Sequence, residues 1–180
     1  MRDMATLIID DEAPFIEYID GRVLPAVSPK RKHGLLTARF FQLLERLSGA
    51  PGQVSLEWRC YLPSDPEKPT TLVPDVAYVS LDRMKSLSDD EIEEPPFAPD
   101  VVVEIQSPSG RAGAIAQKIE RYLRHGSILV LDVDPKKRTI AAHATDGVRK
   151  FEENDTFNHP AVPWLQFEIA PLFANLEIVR

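Results

Sequence analysis

A chain of 180 residues, 43% of them hydrophobic, is long enough to bury one sizeable core and short for two domains. A net charge of -7 excludes a protein that coats nucleic acid or an anionic membrane by bulk electrostatics, and leaves only local basic patches for such contacts. The single cysteine, Cys60, excludes an internal disulfide framework and a thiolate metal cage. Within LEWRCYL it reads as a core residue. The N-terminal segment holds no apolar stretch of signal-peptide length, and no run approaches the roughly 20 apolar residues of a membrane span. One soluble, cytoplasmic domain over residues 1–180 is expected, without a membrane partner.

In chain order, FIEYIDGRVLPAV (15–27) predicts two short strands around an Asp20-Gly21 turn. SPKRKHGLLTARFFQLLERLSGAPG predicts a helix from about Lys32 to Ser48, because Leu36, Phe40, Leu43, Leu44 and Leu47 recur on one face and a Gly/Pro cluster stops it. His33 falls near that face at the helix N-terminus. QVSLEWRCYLP and TTLVPDVAYVS then read as two strands separated by the loop PSDPEKPT. The acidic segment LDRMKSLSDDEIEEPPFAP reads as a short helical turn and a solvated loop. DVVVEIQS predicts a strand, and GRAGAIAQKIERYLRHG a helix closed by Gly126. SILVLDVDP and TIAAHATDG predict strands joined through PKKR, with VRKF continuing the edge, and the tail FEIAPLFANLEIVR a short helix. Strands alternating with helices, with an antiparallel hairpin at the N-terminal end, predict an α/β fold in which helices flank a mixed β-sheet.

Two carboxylates stand out in this pattern. In LVPDVAYVS, alternation places Asp75 on one face with Val73, Ala77 and Val79, in a strand apolar on both faces. In VVVEIQ, Glu104 and Gln106 project together with Val102. Burying an unpaired carboxylate is costly, so each should be paired, protonated or bound to a cation. Separate structural roles would have Asp75 cap a loop amide and Glu104 meet a buried Arg. A shared role would have both hold one divalent cation. On the helix that follows, Lys118 and Arg111 lie within about 60° of Ile115, on one flank of the stripe formed by Ile115, Ile119, Tyr122 and Leu123. Lys118 can snorkel along that flank or reach the carboxylate end of the sheet.

Pro74-Asp75, then VVVEIQSPS, then the Lys of QKIERY, resemble the putative restriction endonuclease family formerly catalogued as a domain of unknown function, within the PD-(D/E)XK nuclease superfamily. EYIDG at 17–21 and the Ser28, Pro29 and His33 pattern opening the first helix add to the match, which covers roughly residues 15–135. The resemblance implies a restriction-endonuclease-like core over about 15–145 with a C-terminal extension at 146–180. It also implies Mg2+ or Mn2+ on Asp75 and Glu104. The superfamily's usual signature carries a Lys two residues after the Glu; here that place is Gln106, and in this family the helical Lys118 would substitute for it.

Hydrolysis of a phosphodiester needs a water made nucleophilic near neutral pH and charge neutralised on the phosphate, to which a carboxylate-held Mg2+ contributes. Mg2+ keeps several waters, so Asp75 and Glu104 with the Ile105 carbonyl would suffice. Lys118 would orient the attacking water or stabilise developing charge. Gln106 could position a water but brings no cation. Glu17, His33 and Arg111 would stand around the site, His33 either donating to a phosphate or carboxylate or serving as a core histidine. His125, His143 and His159 follow no metal-ligand spacing. Local basic residues for DNA occur in SPKRKH and at Arg111, whereas PKKR (135–138) reads as a solvated turn. The expected activity is a Mg2+-dependent endonuclease of DNA, with a homodimer left open. The alternative is a catalytically weak or inactive nuclease-like module that binds nucleic acid.

Overall fold

The structure, a computed structural model, describes residues 16–24, 30–48, 51–63, 68–107 and 112–177. Strands β1 (Glu17–Ile19) and β2 (Arg22–Leu24) pair antiparallel, with Ile19 opposite Arg22. The turn between them has φ of 49° at Asp20 and 74° at Gly21. Positive φ at both central residues is the hairpin turn that matches strand twist, and Asp-Gly tolerates it. Helix α1 (Arg31–Leu47) buries Leu36, Phe40, Leu43 and Leu44, within one residue of the expected limits.

Two predicted strands each divide. QVSLEWRCYLP forms β3 (Gly52–Leu56) and β4 (Cys60–Leu62), which belong to different sheets. The chain turns at Glu57, whose φ is 50°. TTLVPDVAYVS forms β5 (Thr70–Leu72) and β6 (Val76–Ser80), again in different sheets. Pro74 has no N–H for a ladder and holds Val73 out of the helical region, so the chain leaves one sheet and enters the other there. Asp75 is therefore not inside a central strand beside Ala77 and Val79, as its alternation implied. It stands in the gap between two sheets.

The acidic segment forms two short helices, α2 (Leu81–Met84) and α3 (Asp89–Glu93), the second opened by a Ser88–Glu91 capping box. Then come β7 (Val101–Ile105), α4 (Ala112–Arg124), β8 (Leu129–Asp134), β9 (Thr139–Ala144) and β10 (Gly147–Phe151). The chain ends in β11 (Thr156–Phe157), β12 (Phe167–Glu168) and α5 (Ala170–Phe173). At the end of α4 the Ser127 N–H donates to the Tyr122 carbonyl and the Gly126 N–H to that of Leu123. With Gly126 at φ 103°, this is the glycine stop expected for that helix.

The main sheet has the order β10-β9-β8-β7-β6-β3, and the smaller one β2-β1-β5-β4. Among the described strands only β7 and β8 pair in parallel, with Glu104 beside Asp132 and Ile105 beside Val133. A parallel pair needs a crossover, which α4 supplies. One face of the main sheet carries Val103, Ile105, Leu131 and Val133 against α1 and the C-terminal residues Phe157, Leu165, Phe167 and Phe173. On the other face Val102 and Val130 pack against Ile119 and Tyr122 of α4 and against Ile19, Cys60, Leu62 and Leu72 of the small sheet. Cys60 is fully buried there, and burial pushes its thiol up to about 12. Among the described residues, no helix is long and apolar enough to cross a membrane.

Candidate active site

Because β6 runs antiparallel to β7, the start of one meets the end of the other. Their ladder pairs Val76 with Val103, and one residue earlier in the chain β6 has not yet begun. The Asp75 side chain stands where that strand stops: its Oδ2 accepts from the Ile105 N–H at 2.6 Å. Its Oδ1 lies 3.1 Å from Nε2 of His33, in the first turn of α1. The Asp75 hydrogen bond raises the His33 pKa, against the opposing effect of burial.

Glu104 is 5% exposed and faces α4. Its Oε1 and Oε2 lie 2.6 and 2.8 Å from the Lys118 ammonium, and Oε1 also accepts from the Tyr122 hydroxyl at 2.8 Å. Lys118 is 8% exposed and meets a second carboxylate, Glu17 Oε1, at 2.8 Å. That Glu17 oxygen also accepts from the Val73 N–H at 2.8 Å. Two sheets and one helix thus converge on a single ammonium. Lys118 does not snorkel to solvent.

Of the two structural roles considered for the acids, Asp75 caps a backbone amide, but one of strand β7 rather than of a loop. The partner of Glu104 is a lysine and a tyrosine rather than an arginine. Gln106 lies beyond β7 and donates from Nε2 to Asp132 Oδ1 at 2.8 Å. It shares the Glu104 side of the sheet, but its amide engages Asp132 of the neighbouring strand. Arg111, Ser28 and Pro29 lie outside the described residues.

Three carboxylates, from Glu17, Asp75 and Glu104, meet one ammonium and one imidazole. The negative excess is visible in the titration of Glu104. Burial above all, with Asp75 and Glu17 adding to it and the Lys118 charge opposing it, pushes its carboxyl from an ordinary 4.5 up to about 8. Lys118 itself would be discharged by burial, but Glu104 and Glu17 outweigh that and raise its pKa. The cluster therefore holds protons where it lacks positive charge. Among the described residues, no three His, Cys, Asp or Glu side chains stand together in metal-ligating geometry. A hard cation needs fewer protein ligands than that. Mg2+ takes one or two carboxylates and keeps its waters, and every candidate donor at this site is oxygen.

Two residues escaped sequence reasoning. Tyr122 counts toward the apolar stripe of α4, yet it stands four residues after Lys118 on the same face, and its hydroxyl finds Glu104. Asp132 interrupts ILVLDVD as Glu104 interrupts VVVEIQ, and that signal could have singled it out. Burial raises the pKa of its carboxyl, with the Gln106 hydrogen bond opposing. His125 lies between the carbonyls of Arg121 and Pro63, and His159 Nδ1 accepts from the Ala161 N–H. The basic residues opening α1 are held by the C-terminal segment: Arg31 donates to the Leu176 carbonyl and Lys32 pairs with Glu177. PKKR is the β8–β9 turn, where Asp134 Oδ1 accepts from the N–H groups of Lys136 and Lys137.

The chain matches a solved structure described as a putative nuclease belonging to DUF820 from Anabaena variabilis with a TM-score of 0.78 at 22% identity, over 91% of this chain and 92% of that one. At that identity the likeness speaks for the fold, a mixed sheet flanked by helices. No curated protein matches the chain significantly. The model of the Uma2 family matches residues 2–171. The chain belongs to that family, described as putative restriction endonucleases.

Proposed function

We propose that the protein is an endonuclease that hydrolyses DNA phosphodiester bonds in the cytoplasm with Mg2+ or Mn2+ held by Asp75, Glu104 and the Ile105 carbonyl. The observation that carries this reading is the excess of buried carboxylate at the end of β7. Around Lys118, Glu104 retains a proton to about pH 8, a position from which a divalent cation can displace it. Bound there, the cation would supply a water acidified toward neutral pH and neutralise phosphate charge. The chain's own residues do the rest. Asp75 holds the end of β7 through the Ile105 amide, so the two proposed ligands of that strand, Glu104 and the Ile105 carbonyl, sit on a fixed backbone. Lys118 balances Glu17 and Glu104 and stands beside the charge that develops on the phosphate. His33, whose proton affinity the Asp75 hydrogen bond raises, is placed to donate to a phosphate oxygen. In the net reaction the water oxygen bonds to phosphorus, one P–O ester bond breaks, and the leaving oxygen takes up a proton.

The test is nicking of supercoiled plasmid with Mg2+ and Mn2+. Asp75→Asn and Glu104→Gln should each reduce the rate by at least about 100-fold, the scale of losing one charge-stabilising group at an active site. Equal cleavage by the variants and the wild type would sink the reading. One observation favours a nucleic-acid-binding module without turnover instead. Contacts to three carboxylate oxygens already engage the Lys118 ammonium. Metal-independent DNA binding with no cleavage in any metal would select that alternative.

A further inference from the structure

We propose that Gln106, its amide fixed by Asp132, presents its carbonyl oxygen to the attacking water beside Glu104. Asp132 is the positioning residue that sets this orientation. The inference rests on the nuclease reading and adds a role that neither Lys118 nor the metal ligands fill.

Strands β7 and β8 pair in parallel with Glu104 beside Asp132. Registered partners share a face of the sheet, so Asp132 lies on the same face as Glu104. Beyond Ile105 the chain keeps its hold on β8, because the Gln106 N–H donates to the Val133 carbonyl at 2.8 Å. Residue 106 is thus aligned as if β7 continued by one step. Its side chain reaches the Glu104 face, where Nε2 donates to Asp132 Oδ1 at 2.8 Å.

An ionised carboxylate only accepts hydrogen bonds, whereas a glutamine amide can offer either end. Asp132 removes that freedom. Turning the Gln106 oxygen toward it would oppose two acceptors, so the NH2 group faces Asp132 and Oε1 is the acceptor left for the site. A cation-bearing side chain at residue 106 would donate to phosphate. A glutamine held in this way accepts a hydrogen bond from a water and aims that water's lone pair, without altering the charge of the cluster.

Asp132 is one of two acids in β8 and stands half-buried between Leu131 and Val133, both fully buried. An apolar pair would fill the same space without desolvation cost. That contrast supplies the experiment, because replacing both partners of a hydrogen bond by apolar groups of similar shape is nearly neutral for stability. The full-length protein is assayed for plasmid nicking in Mn2+, for Mn2+ affinity by calorimetry, and for thermal unfolding. The double variant Gln106→Leu/Asp132→Leu should stay folded and bind Mn2+ within about twofold of wild type. Its kcat should fall at least about tenfold, with the KM for DNA unchanged, as expected when the hydrogen-bond acceptor that orients the attacking water is lost. The exchanged pair Gln106→Glu/Asp132→Asn restores the hydrogen bond with donor and acceptor swapped and leaves one acceptor oxygen free. It should recover the rate to within about threefold.

Wild-type turnover in the apolar pair, or equal losses in the apolar and exchanged pairs, would overturn the assignment. A loss of Mn2+ affinity parallel to the loss of rate would do the same. Should the apolar pair fail to fold, Gln106→Met supplies the same comparison while leaving Asp132 in place. If the wild type cleaves in no metal, the nuclease reading itself fails and takes this inference with it, an outcome distinct from cleavage that is indifferent to Gln106.

Discussion

Two buried ionic clusters lie at opposite ends of the same strand. At the start of β7, Asp100 meets Arg83 at 2.8 Å and accepts from the Ser80 N–H at 2.7 Å. The Arg83 guanidinium lies 4.0 Å over the ring of Phe97 and also donates to the Ala98 carbonyl. One anion faces one cation, and each has further partners. At the far end of β7, three carboxylates face one ammonium and one imidazole, and protons make up the deficit. A matched pair holds structure together, since nothing is gained by adding a ligand to it. A mismatched cluster stores a preference for more positive charge, and that preference is the property a cation site requires.

The largest effect that can separate the two comes from removing charge. Arg83→Met strands the Asp100 carboxylate, whose side chain is 7% exposed, and should cost about 3–5 kcal/mol, the usual loss on breaking a buried pair. Glu104→Gln removes a charge from the crowded cluster while keeping an acceptor for Tyr122 and Lys118. It should change metal-free stability at pH 8 by less than about 1 kcal/mol. Urea midpoints for both variants check this, and a Glu104→Gln loss as large as that of Arg83→Met would abolish the distinction.

A smaller effect appears in the pH dependence. Glu104 binds its proton more tightly when folded, with the carboxyl raised from 4.5 to about 8. Its contribution is therefore fully present below pH 4.5 and is lost as pH rises toward 8. The raised His33 acts in the same direction above its ordinary 6.5. Metal-free protein should lose about 2–3 kcal/mol between pH 5 and 8, part of what a shift of this size allows at about 1.4 kcal/mol for each tenfold change in proton affinity. Glu104→Gln should flatten most of that decline. A flat wild-type profile would show that the cluster is as well matched as the Arg83 pair.

How much of this was legible depended on the range of the signal. The Asp20-Gly21 turn, the periodicity of α1 and the Gly126 stop are local, and they appear where the chemistry of those residues requires. Lys118 was legible as a lysine on the flank of a buried stripe. Its engagement by Glu17 was not, because the small sheet brings Glu17 in from residues far away in the chain. The split strands failed for a related reason. Glu57 takes a positive φ that nothing in its residue type announces, and Pro74 interrupts an apolar run whose alternation otherwise continues through it. Asp75 takes its position from that break: a residue expected within a strand lies in the gap between β5 and β6.

The smallest effect tests what the mismatch is for. A cation that replaces the protons of the cluster competes with them, so its affinity must rise with pH until Glu104 is ionised. At pH 8, with Mn2+ at about ten times its dissociation constant there, binding should stabilise the fold by about 1.4 kcal/mol, or roughly 3–6 °C in a domain of this size. At pH 6 the same Mn2+ concentration meets a protonated Glu104, and the shift should shrink to below about 0.3 kcal/mol. Glu104→Gln should erase the response at both pH values, while Asp100→Asn, although less stable, should keep it. Equal Mn2+ shifts at pH 6 and pH 8, undiminished in Glu104→Gln, would place the metal elsewhere and reduce the carboxylates around Lys118 to a second structural cluster.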